Sequence, residues 1–256
     1  MLEKFRQAKG PGIERLIALE DEGLMPAPFG GERPDFIRAL WEHAPGAVIA
    51  EYKRASPSRG EIDMTLTPEQ VAAAYRDAGA AALSVLTEEH YFKGSLEYLS
   101  RMAGAGLPML RKDFILHPVQ VIETAATPAS AFLLIARMST QEELREMLGL
   151  GMAFELQAVV EVFDEADLEK AQALDPEIIQ VNSRDLDKLT TDLAVAERLA
   201  RHKQEGQIWI AASGITTPDD RERMIQAGYD AVLVGTSLMS GGDPGAALKK
   251  LMGRNG

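Results

Sequence analysis

A chain of 256 residues, 46% hydrophobic and 26% charged, has ordinary globular composition and the length of one closed α/β barrel, so no second structural domain is required. A formal charge of −12 with no basic run argues against nucleic acid and anionic membranes as partners, and an anionic ligand would need a local cationic pocket. The absence of cysteine excludes disulfides, thiol nucleophiles and thiolate metal sites, and no apolar run approaches the roughly 20 residues that span a bilayer.

The first residues, Met1 to Arg6, mix charged and apolar side chains and lack the apolar block of a secretion signal, which leads to an expected cytoplasmic location. Ile13 to Leu24 reads as one amphipathic helix, followed by a loop from Pro26 to Gly31. Residues 1–46 are therefore expected to form an N-terminal helical extension packed on a barrel of residues 47–256.

From Ala47 onward, short apolar runs alternate with amphipathic stretches, the pattern of a parallel sheet covered by helices. Strands are predicted at Ala47 to Lys53, Ala81 to Thr87, Pro108 to Lys112, Ala131 to Ile135, Gln157 to Val162, Ile178 to Asn182, Ile208 to Ser213 and Ala231 to Gly235. Eight such strands close a (β/α)8 TIM barrel. Thr67-Pro68, Thr217-Pro218 and Asp243-Pro244 each supply an N-cap oxygen followed by proline, and Ser139 with Glu142 suggests a capping box. Gly79, Gly106 and Gly228 fall where helices should end, and Gly253 to Gly256 is expected to fray.

Catalytic groups of such a barrel stand at the C-terminal ends of its strands. In the first strand Glu51 and Lys53 share the inward face of Ile49, either as a structural ion pair or as reacting groups. Lys112 shares its face with Leu110 and Phe114, where desolvation would lower its pKa and suit it to proton donation. Gln157, Val159 and Glu161 alternate inward, which places a second carboxylate across the mouth unless Glu161 merely caps a helix. Asn182 continues the inward parity of Gln180, and Arg184 lies just beyond, where its guanidinium can fork onto an oxyanion. The turns Ala212-Ser213-Gly214 and Gly235-Thr236-Ser237 have the character of a phosphate cradle, although glycine turns also serve as plain connections.

These segments resemble indole-3-glycerol phosphate synthase in their order and strand-end placement. The motifs are Ile49 to Ser58, Ser84 to Thr87, Phe92 to Ser95, Leu110 to Phe114, Val160 to Val162, Asn182 to Leu186 and Ser213 to Ile215. The resemblance implies ring closure, decarboxylation and dehydration of an anthranilate-derived deoxyribulose phosphate, with no metal or organic cofactor. Lys112 would be the general acid, and Lys53 would pair with the substrate carboxylate and help protonate the departing hydroxyl. Glu161 would be the partner acid or base, while Glu51, Asn182 and Ser213 would position hydroxyls and catalytic groups.

The same resemblance implies that Phe92, Phe114, Leu133 and Ile135 wall the aryl ring and that Arg184, Gly214, Gly235 and Thr236 hold the phosphate. Ser56 would belong to a loop that closes over the substrate. In one departure, Ala212 stands where the family usually has glutamate before Ser-Gly. The alternatives are another phosphosugar barrel, such as phosphoribosylanthranilate isomerase, and an impaired or engineered barrel that binds the ligand without turning it over.

Overall fold

The computed structural model describes residues 1–185 and 190–254. Eight parallel strands close in sequence order into a barrel. They are β1 (Ala47–Tyr52), β2 (Ala82–Leu86), β3 (Met109–Lys112), β4 (Ala131–Ile135), β5 (Gln157–Val162), β6 (Ile178–Asn182), β7 (Ile208–Ala212) and β8 (Ala231–Val234). Each pairs with its neighbours in the list, and β1 closes the ring against β8. The predicted segments match these strands to within a residue at most ends. The expected (β/α)8 TIM barrel is thus the fold of this chain.

Strand parity divides the buried side chains into two cores. Ile49, Leu110, Leu133, Val159, Ile178, Ile210 and Leu233 fill the barrel interior. Val48, Leu83, Phe132, Val160, Ile179 and Val232 point outward and pack under the helices. The two-residue period of a strand produces this split, because a residue and its next neighbour face opposite sides.

Helix starts follow the predicted chemistry at α3 (Pro68–Ala78) and α9 (Pro218–Gln226), where Thr67 and Thr217 each complete a capping box. Asp243 accepts from the Ala246 amide at the start of α11 (Pro244–Leu251). The box ahead of α6 (Gln141–Ala153) is Thr140 with Glu143, one residue beyond the expected Ser139 and Glu142. Ser139 instead ends a short 3-10 turn, and its carbonyl accepts from Lys170 Nζ at 3.1 Å. Gly79, Gly106 and Gly228 do take the left-handed conformation at helix exits.

Residues 1–46 depart furthest from expectation. Helix α1 runs Leu2–Asp21, straight through Pro11, instead of starting at Ile13. Gly10, Pro11 and Gly12 read as a break, but tertiary contacts on both sides of them override local propensity: Phe5 and Leu16 are buried and Lys9 is ion-paired. A second helix, α2 (Phe36–His43), was not anticipated. Its Phe36 and Leu40 are fully buried with Ala47, Ile178 and Ile208 at the barrel floor, and Gln157 Oε1 accepts from the amides of Phe36 and Ile37. Between the helices the Phe29 amide donates to Ala125 O at 2.8 Å, and Arg33 donates to the carbonyls of Ala125 and Thr127. The extension therefore spans the outside of the barrel from mouth to floor.

At the other terminus, Gly253 and Arg254 are bonded to Lys250 and Lys249 carbonyls instead of fraying; residues 255–256, like Leu186, lie outside the described residues.

Candidate active site

The inward residues at the C-terminal strand ends converge on one cluster. Lys53 Nζ donates to Glu51 Oε1 at 3.1 Å, and Ser84 Oγ donates to Glu51 Oε2 at 3.2 Å. Lys112 Nζ stands 3.8 Å from Glu161 Oε2, an ion pair longer than a hydrogen bond. Two ammoniums thus face two buried carboxylates. Burial pushes the Glu51 carboxyl up, but the charges of Lys53 and Lys112, with the hydrogen bonds from Lys53 and Ser84, outweigh it and hold its pKa below the usual carboxylate range. Glu51 is therefore a fixed anion.

Above this layer an aromatic and aliphatic wall forms from the loops after β2 and β3 and from β4. Phe92 and Phe114 have centroids 6.2 Å apart, and Leu133 and Ile135 belong to the same buried cluster. Lys53 Nζ lies 5.6 Å from the Phe92 ring centroid, so one ammonium touches both the acidic layer and the wall. The loop bearing Phe92 is held by the buried Glu88 carboxylate, which accepts from the amides of His90, Tyr91 and Phe92.

Asn182 Oδ1 accepts from the Arg184 amide at 3.0 Å, so Asn182 shapes the turn that carries the guanidinium. Burial lowers the Arg184 pKa, and the nearby charge of Arg59 lowers it further while Glu51 opposes the shift. Two like charges at one place on the rim mark an anion-attracting corner. Ser213 and Gly214 are consecutive left-handed residues with φ of 68° and 85°, an uncommon conformation for serine. Ser237 Oγ donates to Ile215 O at 3.4 Å and joins this turn to the next. Thr236 opens the short helix α10 (Thr236–Met239), whose first amides cannot be satisfied within the helix.

Gly235 is required by close packing. A Cβ there would fall 2.4 Å from Glu51 Oε1, so the carboxylate occupies the space a side chain would take. Ser56 is buried in a small antiparallel ladder, Ala55–Ser56 against Gly60–Glu61, and Arg54 braces that loop by donating to the Tyr98 hydroxyl at 2.6 Å.

Ala212 packs in the buried interior opposite Asn182 on the adjacent strand. The carboxylate missing at this position does not leave Lys53 without an acidic partner, because Glu51 serves it. Four contributors were given no role from the sequence. Ser84 has the right parity but a common residue type, Gln180 had the parity without an assigned role, Arg59 sits in an irregular loop, and Phe5 reaches the mouth only through the tertiary path of α1. A separate cavity of about 890 Å³ lies between α1 and the Thr87 to Leu96 loop. Much of its charged lining is engaged internally, with Asp113 paired to both Lys9 and Arg111 and Glu123 to Arg111, so it is a poorer candidate than the mouth.

Residues 31–251 match the family model of indole-3-glycerol phosphate synthase. An indole-3-glycerol phosphate synthase of Desulfosudis oleivorans is 47% identical over 213 residues, covering 82% of this chain and 81% of the relative. That of Carboxydothermus hydrogenoformans is 42% identical over 256 residues, covering 98% and 96%. Among solved structures, a 3-hexulose-6-phosphate synthase overlays with a TM-score of 0.59 at 13% identity, over 82% of this chain and 100% of that one, a likeness of fold alone.

Proposed function

This chain belongs to the indole-3-glycerol phosphate synthase family, the carboxy-lyases of tryptophan biosynthesis, and from that premise we propose how its mouth residues divide the work. The reaction converts 1-(2-carboxyphenylamino)-1-deoxy-D-ribulose 5-phosphate into indole-3-glycerol phosphate, carbon dioxide and water. The observation that supports the division most directly is the pairing of Lys112 with Glu161 beside the pairing of Lys53 with Glu51.

Lys112 donates a proton to the ketose carbonyl oxygen as the aryl carbon attacks the carbonyl carbon and forms the new ring bond. The bond to the carboxylate then breaks, and its electron pair restores the aromatic ring as carbon dioxide leaves. Lys53 first pairs with that carboxylate and afterwards gives a proton to the departing hydroxyl, which leaves as water. Glu161 takes the proton released when the indole forms. Glu51, a fixed anion, orients the Lys53 ammonium, while Asn182 and Ser213 orient substrate hydroxyls and the catalytic groups.

Phe92, Phe114, Leu133 and Ile135 receive the aryl ring, whose flat apolar faces match theirs. Arg184, Gly214, Gly235 and Thr236 receive the phosphate, with Arg59 drawing the same anion to the rim. Ser56 belongs to the loop that covers the bound substrate. Residues 1–46 act as an extension of the barrel of residues 47–256, and the enzyme works in the cytoplasm.

Indole fluorescence on incubation with the carboxyphenylamino-deoxyribulose phosphate follows turnover. Lys112→Ala is expected to lower kcat by about 10²- to 10⁴-fold. Undiminished turnover in that variant would remove Lys112 from the role of essential acid.

A further inference from the structure

Gln180 is fully buried on the inward face of β6, two residues before Asn182, and pairs in register with Glu161 on β5 and Ile210 on β7. Its Nε2 donates to Glu161 Oε2, the same oxygen that faces Lys112 at 3.8 Å. Its Oε1 is also buried, and no hydrogen-bond donor reaches it among the described residues. A primary amide with one end unsatisfied is costly in an interior where leucine or methionine would pack without penalty. Packing gives no reason for glutamine here, so the reason must lie with its one bonded neighbour.

We propose that Gln180 is a positioning residue for Glu161 and serves that carboxyl in both of its protonation states. The inference rests on Glu161 being the acid or base partner in turnover. While Glu161 is ionised, the amide N–H binds Oε2 in a charge-assisted hydrogen bond and holds it towards Lys112. When Glu161 takes up a proton from the substrate, the carboxylate becomes a carboxylic acid whose O–H requires an acceptor. The two ends of the Gln180 amide fill nearly the same volume, so a half-turn about its last side-chain bond brings Oε1 to that O–H. No covalent bond of Gln180 is made or broken. The vacant acceptor is thereby explained as the partner of the protonated state.

A double-mutant cycle tests this, using Gln180→Met, which keeps length without hydrogen bonding, and Glu161→Gln. Gln180→Met is expected to lower kcat on the order of tenfold while KM moves less than about twofold, with the urea midpoint unchanged or raised. In the Glu161→Gln background the same substitution is expected to change kcat by less than about twofold. Gln180→Leu gives the same readings if the methionine variant does not fold. A wild-type kcat in both Gln180 variants, or an equal loss with and without Glu161, would overturn the role of Gln180 while leaving that of Glu161 intact. Undiminished kcat in Glu161→Gln alone would instead overturn the underlying assignment of Glu161, and this inference with it.

Discussion

The Phe5 ring lies flat against Phe114, with centroids 4.3 Å apart and planes inclined by 16°. Phe5 also meets Tyr91 edge-on at 5.0 Å, so a residue from outside the barrel completes the aromatic lining of its mouth. Phe5→Ala is expected to destabilise the protein by about 3 kcal/mol and to raise KM more than it lowers kcat, because the lost contacts support binding instead of proton transfer. Urea unfolding and steady-state kinetics on the same preparation check both parts.

Gly235 has a φ of −127°, outside the left-handed region, so Gly235→Ala chiefly probes the space beside Glu51. Its added methyl would collide with Glu51 Oε1 and push that carboxylate off Lys53. A fall in kcat of about tenfold or more with a near-native CD spectrum is expected. Wild-type kcat would mean that Glu51 can relocate without consequence.

Asp113 is buried at the end of β3 and is bound by Lys9, Arg111 and Thr87. Burial raises its pKa, but the charges of Arg111 and Lys9 with the Thr87 hydrogen bond outweigh this and leave it below the ordinary value. A depressed folded-state pKa contributes stability that is complete above the unfolded carboxyl's titration near pH 4 and is lost as pH falls through the folded value. Glu51 acts with the same sign. Asp113→Asn should cost about 3 kcal/mol at neutral pH and flatten the acid limb of stability, measured by urea unfolding from pH 7 to pH 3.

Ala212→Glu would return an acceptor to the strand end beside Asn182. Since Lys53 already has Glu51, the new carboxylate would act on substrate hydroxyls, and a rise in kcat of about threefold is expected at saturating substrate. An unchanged rate would show that Glu51 or Asn182 already fills that role.

The sequence made the barrel and its acidic and basic layer legible because both depend on strand parity. Glu51, Lys53, Lys112 and Glu161 are all placed by counting two residues at a time from an apolar neighbour. What stayed hidden depends on distance through space. Nothing local to Met1–Lys9 says that Phe5 meets Phe114, or that Lys9 crosses to Asp113 over 104 positions. Gly10-Pro11-Gly12 misled for the converse reason, since local breaking signals lost to docking on both sides. Gln180 had the correct parity, but a glutamine gains meaning only once the carboxylate beside it is known.

The first 46 residues grip the barrel at both ends, with Phe5 and Lys9 at the mouth and Phe36 and Leu40 at the floor, and the chain between them is tied down at Phe29 and Arg33. Such a segment is bivalent: each end holds the other at a high effective concentration, so neither need bind strongly alone. Cleavage of the exposed stretch between Glu22 and Glu32 would convert docking of α1 into a bimolecular event. Dilution of the nicked protein would then release α1 and uncover the aryl wall while the floor stayed plugged, uncoupling catalytic loss from unfolding.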